Sequence, residues 1–168
     1  MKVAHIDCFS GISGNMLLGA LLDLGADARR IRDELKRLSL GSYEITVETV
    51  RRGSLAATHF SVTEPPHGPE GHGPGHPHHH RSYRDIVEII STSSLSDRVR
   101  SISLDAFERV ARAEARIHGV KIDDVAFHEI GAVDSIVDIV GGAAAVEQLG
   151  IARFTATRVP LGHGTVKT

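Results

Sequence analysis

Apolar positions recur along this chain with two periods, about 3.6 and 2, and the switches between them predict its elements. Residues 2–7 read as a short strand, apolar at Val3, Ala4 and Ile6. A turn follows, Cys8-Phe9-Ser10-Gly11-Ile12-Ser13-Gly14, and then a helix over 15–24. Leu17, Leu18, Leu21, Leu22 and Leu24 spread over most of that helix's circumference, which predicts deep burial. Gly25 ends it, and Asp27 caps a second helix to about Leu38 with Lys36 and Arg37 in its last turn. Residues 43–50 alternate, with Tyr43, Ile45 and Val47 set against Glu44, Thr46 and Glu48, as a half-buried strand does. Arg51-Arg52-Gly53-Ser54 supplies a turn, and 57–63 is the returning strand.

The second half is mostly helical. Ser82 and Asp85 have the spacing of a capping box. An amphipathic helix is predicted over 96–118, stopped by Gly119, with Val99, Ile102, Ala106, Val110, Ala113 and Ile117 on its apolar face. Residues 125–130 form a short apolar stretch that reads as a strand. Ser135 with Asp138 is expected to cap a helix over 136–149, closed by Gly150, and 153–159 is a last strand. The resulting order, β-αα-ββ-αα-β-α-β, predicts one α/β domain over 1–168, a mixed sheet with helices packed on it. The closing Pro160-Leu161-Gly162-His163-Gly164-Thr165-Val166-Lys167-Thr168 has neither a helix cap nor a polar tail and reads as the middle of an element.

Composition narrows the function. With 41% hydrophobic residues, 168 positions suffice for a real core, and 4% aromatics without Trp mean an aliphatic one. A net charge of −2 argues against nucleic acid or a membrane surface as partner, since counterion release needs a basic face. The lone Cys8 cannot form an intrachain disulfide, and the first residues hold no long apolar run, so a soluble cytoplasmic protein is expected.

Six of the eleven histidines lie between His67 and His80. Residues 65–81, built of Pro, Gly, His and Glu, can bury little and are expected to be a disordered loop. Imidazole suits nickel, zinc and copper alike, and Gly and Pro spacers would let His67, His72, His76, His78, His79 and His80 gather round an ion, with Glu70 as a further donor. An expression tag would be terminal and uninterrupted. A loop of this kind stores or delivers an ion, because catalysis needs fixed geometry.

Two other segments carry candidate chemistry. Asp7 sits at the end of a strand, and Gly11-Ile12-Ser13-Gly14 leads into a helix N-terminus, where backbone N–H groups favour an anion such as phosphate. The turn is neither a Walker loop nor a dinucleotide fingerprint, and a tight turn that needs glycine explains it as well. Asp7 could bind a divalent ion or simply cap the turn. Further on, His128 and Glu129 lie inside an apolar stretch, where ionisable groups are costly unless paired or metal-bound. Asp134 stands at the mouth of the next helix and Asp138 one turn in, where capping and dipole effects are the plain alternative.

Taken together, these segments resemble a known family. The opening from Asp7-Cys8-Phe9-Ser10-Gly11-Ile12-Ser13-Gly14 through Asn15-Met16-Leu17-Leu18-Gly19-Ala20, the histidine-rich insertion, the run from Phe127-His128-Glu129-Ile130-Gly131-Ala132-Val133-Asp134-Ser135 to Gly141, and Pro160-Leu161-Gly162-His163-Gly164 are similar to the nickel-insertion family of pincer-cofactor synthesis. The resemblance spans essentially the whole chain. It implies insertion of Ni²⁺ between the two sulfurs and the ring carbon of pyridinium-3,5-bisthiocarboxylic acid mononucleotide. The product is the nickel-pincer nucleotide used by lactate racemase and related apoenzymes. It also implies Mn²⁺ and CTP, bound through a region beyond these residues, since the family continues past this amino-terminal portion. Asn15 replaces the family's usual Asp after Gly-Ile-Ser-Gly, which weakens a ligand role there.

In these terms Asp7, Gly11, Ser13 and Gly14 are candidates to hold the phosphorylated substrate. His128 or Glu129 would take the ring proton. The loop histidines and Asp134 would be metal ligands. Two rivals stand beside this reading: a nickel-storing or metallochaperone module without catalysis, and a phosphate-ester hydrolase using Asp7, His128 and Glu129 around metal. Oligomeric state stays open, a homo-oligomer included.

Overall fold

The computed structural model describes residues 1–65, 81–127 and 130–160. The histidines of 67–80, His128, Glu129 and the closing 161–168 therefore lie outside the described residues. Strand β1 (Lys2–Ile6) leads into helices α1 (Gly14–Asp23) and α2 (Ala28–Leu35). The hairpin β2 (Glu44–Arg52) and β3 (Leu55–Thr63) follows, then α3 (Tyr83–Ser91), α4 (Asp97–His118), α5 (Val133–Leu149) and β4 (Ile151–Ala156).

The α/β class holds, but among the described residues the strands form two separate pairs. β1 and β4 run parallel, from Lys2 opposite Ile151 to Ile6 opposite Ala156, while β2 and β3 form an antiparallel hairpin. Helix α1 intervenes: Gly19 sets its backbone so close to β3 that a Cβ would come within 2.3 Å of the Thr58 carbonyl. Asp23, at its end, accepts hydrogen bonds from the Thr58 amide and hydroxyl. The apolar stretch after α4 also differs from expectation. A 3₁₀ turn occupies Ile122–Asp124, and Ala126 forms only an isolated bridge with Ser82, because Val125 and Phe127 turn inward to fill the core.

Helix α5 is the hub. Val133, Ile136, Val137, Val140 and 141–146 are buried, and α1, α2 and α4 pack round it. Gly141 keeps the α1 contact short, since a Cβ there would lie 3.3 Å from Leu18 Cδ1. The helix begins three residues earlier than its expected start, with Ala132 as N-cap and no side-chain cap, so Ser135 and Asp138 lie inside it. The expected caps of α2 and α3 are present: Asp27 accepts from the Arg29 amide, and Ser82 and Asp85 form a capping box. Ser96, expected as the first residue of α4, caps it instead and accepts from the Val99 amide. The buried stripe of α4 is Val99, Ser103, Phe107 and Ala111, whereas Ile117 is 76% exposed. Phe107 is the largest side chain of that helix and sets which face turns inward. Helix α1 is also less enclosed than its leucines predict: Leu18 and Leu21 are buried, but Leu24 is 66% and Met16 55% exposed.

Candidate functional site

The glycine turn, the end of β1 and the head of α5 meet at one end of the molecule. Asp7 is exposed where β1 runs out, and its Oδ1 accepts a hydrogen bond of 3.1 Å from the Thr157 hydroxyl. The same hydroxyl oxygen accepts from the Cys8 amide at 2.7 Å, and the Thr157 amide donates to the Ile6 carbonyl at 3.0 Å. Thr157 thus ties the exit of β4 to the start of the turn and fixes the Asp7 carboxylate. Sequence reasoning passed over it because a threonine after a strand carries no distinguishing pattern. Cys8 is buried and free.

The turn itself needs its glycines. Gly11 has φ +87°, in the left-handed region, and its amide donates to the Cys8 carbonyl at 2.9 Å. Gly14 has an ordinary conformation but no room. A Cβ there would lie 2.6 Å from both Cβ and Oδ2 of Asp138. The head of α1 is therefore seated directly on a carboxylate from α5. The Asn15 amide hydrogen-bonds to Asp138, the Met16 amide donates to Asn15 Oδ1 at 2.9 Å, and the Leu17 amide donates to the Ser13 carbonyl at 3.0 Å. Ser13 Oγ donates to Asn15 Oδ1 rather than capping the helix. These first amides of α1 are already occupied within the fold, so a phosphate arriving there has to exchange with Asp138.

Asp138 is the electrostatic centre of this end. Burial pushes its carboxyl up to about 6, and neighbouring Asp134 adds to the rise, against the lowering effect of the Asn15 amide. Among the described residues its Oδ1 is buried without a hydrogen-bond partner. The signal in the sequence was a lone carboxylate inside Ile136-Val137-Asp138-Ile139-Val140, where nothing apolar can satisfy it. Asp134 is exposed in the first turn of α5, and its Oδ1 accepts from the Ser135 amide at 2.6 Å.

A second junction lies just before α5. Arg81, the first described residue after the histidine-rich segment, accepts from the Phe127 amide at 3.3 Å, and its guanidinium donates to the Gly131 carbonyl at 3.0 Å. Tyr83 and Val125 add a backbone bond of 2.9 Å. Phe127 is 2% exposed, held edge-on by Tyr83 at 6.4 Å and against Phe107 at 6.3 Å. Gly131 admits the crossing, since a Cβ there would lie 3.0 Å from the Arg81 carbonyl. Arg81, which follows the histidine-rich segment in sequence, is thus hydrogen-bonded to Phe127 and Gly131, which lie on either side of His128 and Glu129 in sequence.

Asp7, Gly11, Ser13 and Gly14 therefore share one turn, with Asp134 and Asp138 on the helix that Gly14 touches. The described residues contain no group of three His, Cys, Asp or Glu side chains placed to hold a metal ion. A resident Mn²⁺ therefore finds no donor set among them.

Against known proteins, the model of the nickel insertion protein family matches residues 4–168. The chain belongs to that family. Over its whole length it is 47% identical to a putative nickel insertion protein of Syntrophobacter fumaroxidans, of which it covers 40%. Over 99% of its length it is 44% identical to the pyridinium-3,5-bisthiocarboxylic acid mononucleotide nickel insertion protein of Geobacillus kaustophilus and 45% identical to that of Clostridium kluyveri, covering 41% and 43% of them. This nickel-insertion family member thus spans about two fifths of the length of those relatives. No solved structure matches it. None of its described helices is long and apolar enough to cross a membrane.

Proposed function

We propose that this chain gathers Ni²⁺ on His67, His72, His76, His78, His79 and His80 and delivers it to pyridinium-3,5-bisthiocarboxylic acid mononucleotide held at the turn of Asp7, Gly11, Ser13 and Gly14. The observation that carries the reading is the Arg81–Phe127–Gly131 junction. It ties the residue that follows the histidine segment to residues on both sides of His128 and Glu129, which supports transfer from the one segment to the other. The two relatives named for this substrate supply its identity.

Insertion makes one nickel–carbon and two nickel–sulfur bonds and releases the ring proton, and His128 or Glu129 takes that proton. Asp134, at the head of α5, offers a carboxylate to the incoming ion. Asp138 holds the head of α1, and with it the turn, in place. The nickel-pincer nucleotide then serves lactate racemase-type apoenzymes. Mn²⁺ and CTP belong to the region that the relatives carry outside the match. Residues 1–168 form the amino-terminal α/β domain of such a protein, working in the cytoplasm, where the free Cys8 thiol persists.

The test replaces the matching 41% of the Geobacillus kaustophilus relative with this chain and follows the nickel adduct of the thiolated mononucleotide by mass spectrometry. The graft should insert nickel, and His128→Ala with Glu129→Ala should abolish insertion. Undiminished insertion by the double variant would remove the proposed base.

A further inference from the structure

Two polar side chains of the first strand segment are each held by a different hydroxyl of the strand beside it. His5 and Thr155 are register partners, and His5 Nδ1 lies 2.8 Å from Thr155 Oγ1. Two residues on, the Thr157 hydroxyl donates to Asp7 Oδ1 at 3.1 Å, and the bond from the Thr157 amide to the Ile6 carbonyl carries the pairing one step past β1. Residues two apart along a strand point the same way, so His5, Asp7, Thr155 and Thr157 share one face of the β1–β4 pair. His5 and Asp7 are both exposed. Their Cα atoms are about 6–7 Å apart, a separation that an imidazole and a carboxylate can close on one ion between them. With Nδ1 engaged by Thr155, Nε2 remains as the donor nitrogen, the arrangement of metal-binding histidines whose other ring nitrogen is held by a neighbour. The Asp7 carboxylate likewise keeps lone pairs beyond its bond to Thr157. Two other described histidines stand beside carboxylates in a different way. His59 Nδ1 is 3.7 Å from Glu48 and His118 Nε2 is 3.2 Å from Glu114, so there the imidazole meets the carboxylate itself and no third atom.

We propose that His5 and Asp7 form a transit site for Ni²⁺, which takes the ion from the histidine segment and passes it to the mononucleotide at the turn. The inference rests on the nickel reading above and names the residues that carry the ion on the folded body. Membership of a nickel-insertion family makes nickel the ion concerned, and imidazole nitrogen with carboxylate oxygen suits it. Position gives the pair its role. Asp7 stands where β1 runs into the turn of Gly11, Ser13 and Gly14, so an ion on it lies beside the proposed seat of the substrate. A carboxylate repels a phosphate, so a cation explains Asp7 at that turn better than the substrate's phosphate does. The number of donors also fits transit. No third His, Cys, Asp or Glu joins the pair among the described residues, which leaves coordination positions for water and then for the acceptor. The handover is a ligand exchange: the two sulfurs of the mononucleotide replace Nε2 and the carboxylate oxygen on nickel, and no electron changes hands.

The test uses the 168-residue chain with His67, His72, His76, His78, His79 and His80 each changed to Asn, so that they no longer mask a weaker site. Ni²⁺ alone is titrated into it by calorimetry. The proposal predicts that nickel still binds, and that His5→Phe and Asp7→Asn each abolish this binding. Thr155→Val leaves both donors in place but frees the imidazole, and should weaken binding about 10-fold. Proton NMR of the same titration needs no change at the site: the His5 ring signals should broaden at lower nickel than those of His59. Absence of binding, binding indifferent to His5→Phe, or broadening of His5 no earlier than His59 would each overturn the proposal. None of these results alters the nickel retained by the unchanged histidine segment, so the wider reading is tested separately.

Discussion

Gly14 and Asp138 share a space that holds only one side chain: a Cβ on Gly14 would sit 2.6 Å from the Asp138 carboxylate. This contact joins the turn after β1 to the hub helix α5. Gly14→Ala has to push α1 off α5 or turn Asp138 out of its place, a strain of about 1–3 kcal/mol. Urea denaturation should show a loss in that range, and the graft bearing this change should insert nickel more slowly.

Asp138 also makes stability depend on pH in a stated direction. Its carboxyl is raised to about 6 from an ordinary value of 3.8. Between those values the folded protein holds the proton more tightly than the unfolded chain, so stability falls as pH rises through that window. Above about pH 6 the penalty is complete. Asp138→Asn removes it, and the variant should be more stable than the parent at pH 7.5 by on the order of 1 kcal/mol, a figure reduced for solvent screening of a half-buried group. Thermal melts should converge near pH 4. A variant less stable than the parent at pH 7.5 would show that the carboxylate's bond to the Asn15 amide outweighs its burial.

Gly19 is the matching contact on the far side of α1. An added Cβ would meet the Thr58 carbonyl at 2.3 Å, and backbone, unlike a side chain, cannot swing aside. Gly19→Ala should therefore cost about 2–3 kcal/mol and loosen the Asp23–Thr58 link. Chemical denaturation and the exchange rate of the Thr58 amide would both report it.

Arg81 separates capture of nickel from delivery. Arg81→Ala removes the bond to the Gly131 carbonyl but none of the six loop histidines. Nickel bound per chain should be unchanged, while insertion by the graft should slow by about 5-fold, the worth of one hydrogen bond of about 1 kcal/mol. Equal losses of binding and insertion would mean that the junction does not serve transfer.

What the sequence made legible was whatever a local pattern encodes. The Asp27 and Ser82 caps and the Gly119 and Gly150 stops were readable because caps depend on neighbours in the chain. The division of the strands into two pairs was not, since it depends on α1 lying against β3, a contact set by Gly19 and Thr58 far apart in sequence. The same holds for the site. Asp7 and Gly11 stood out by position, but Thr157 reaches Asp7 only because β4 returns beside β1 after 150 residues. Asp138 looked like a cap because Ser135 offered itself as a helix start, yet the apolar Val133 extended the helix past it into the core.

The central claim, that this chain handles nickel through its histidine segment, is tested most directly by metal analysis of the tag-free protein after dialysis against nickel and zinc in competition, with and without residues 66–80. The account predicts that the intact chain retains nickel and that the shortened chain does not, while both melt alike. Equal nickel content in the two, no greater than in a histidine-poor control protein, would contradict it.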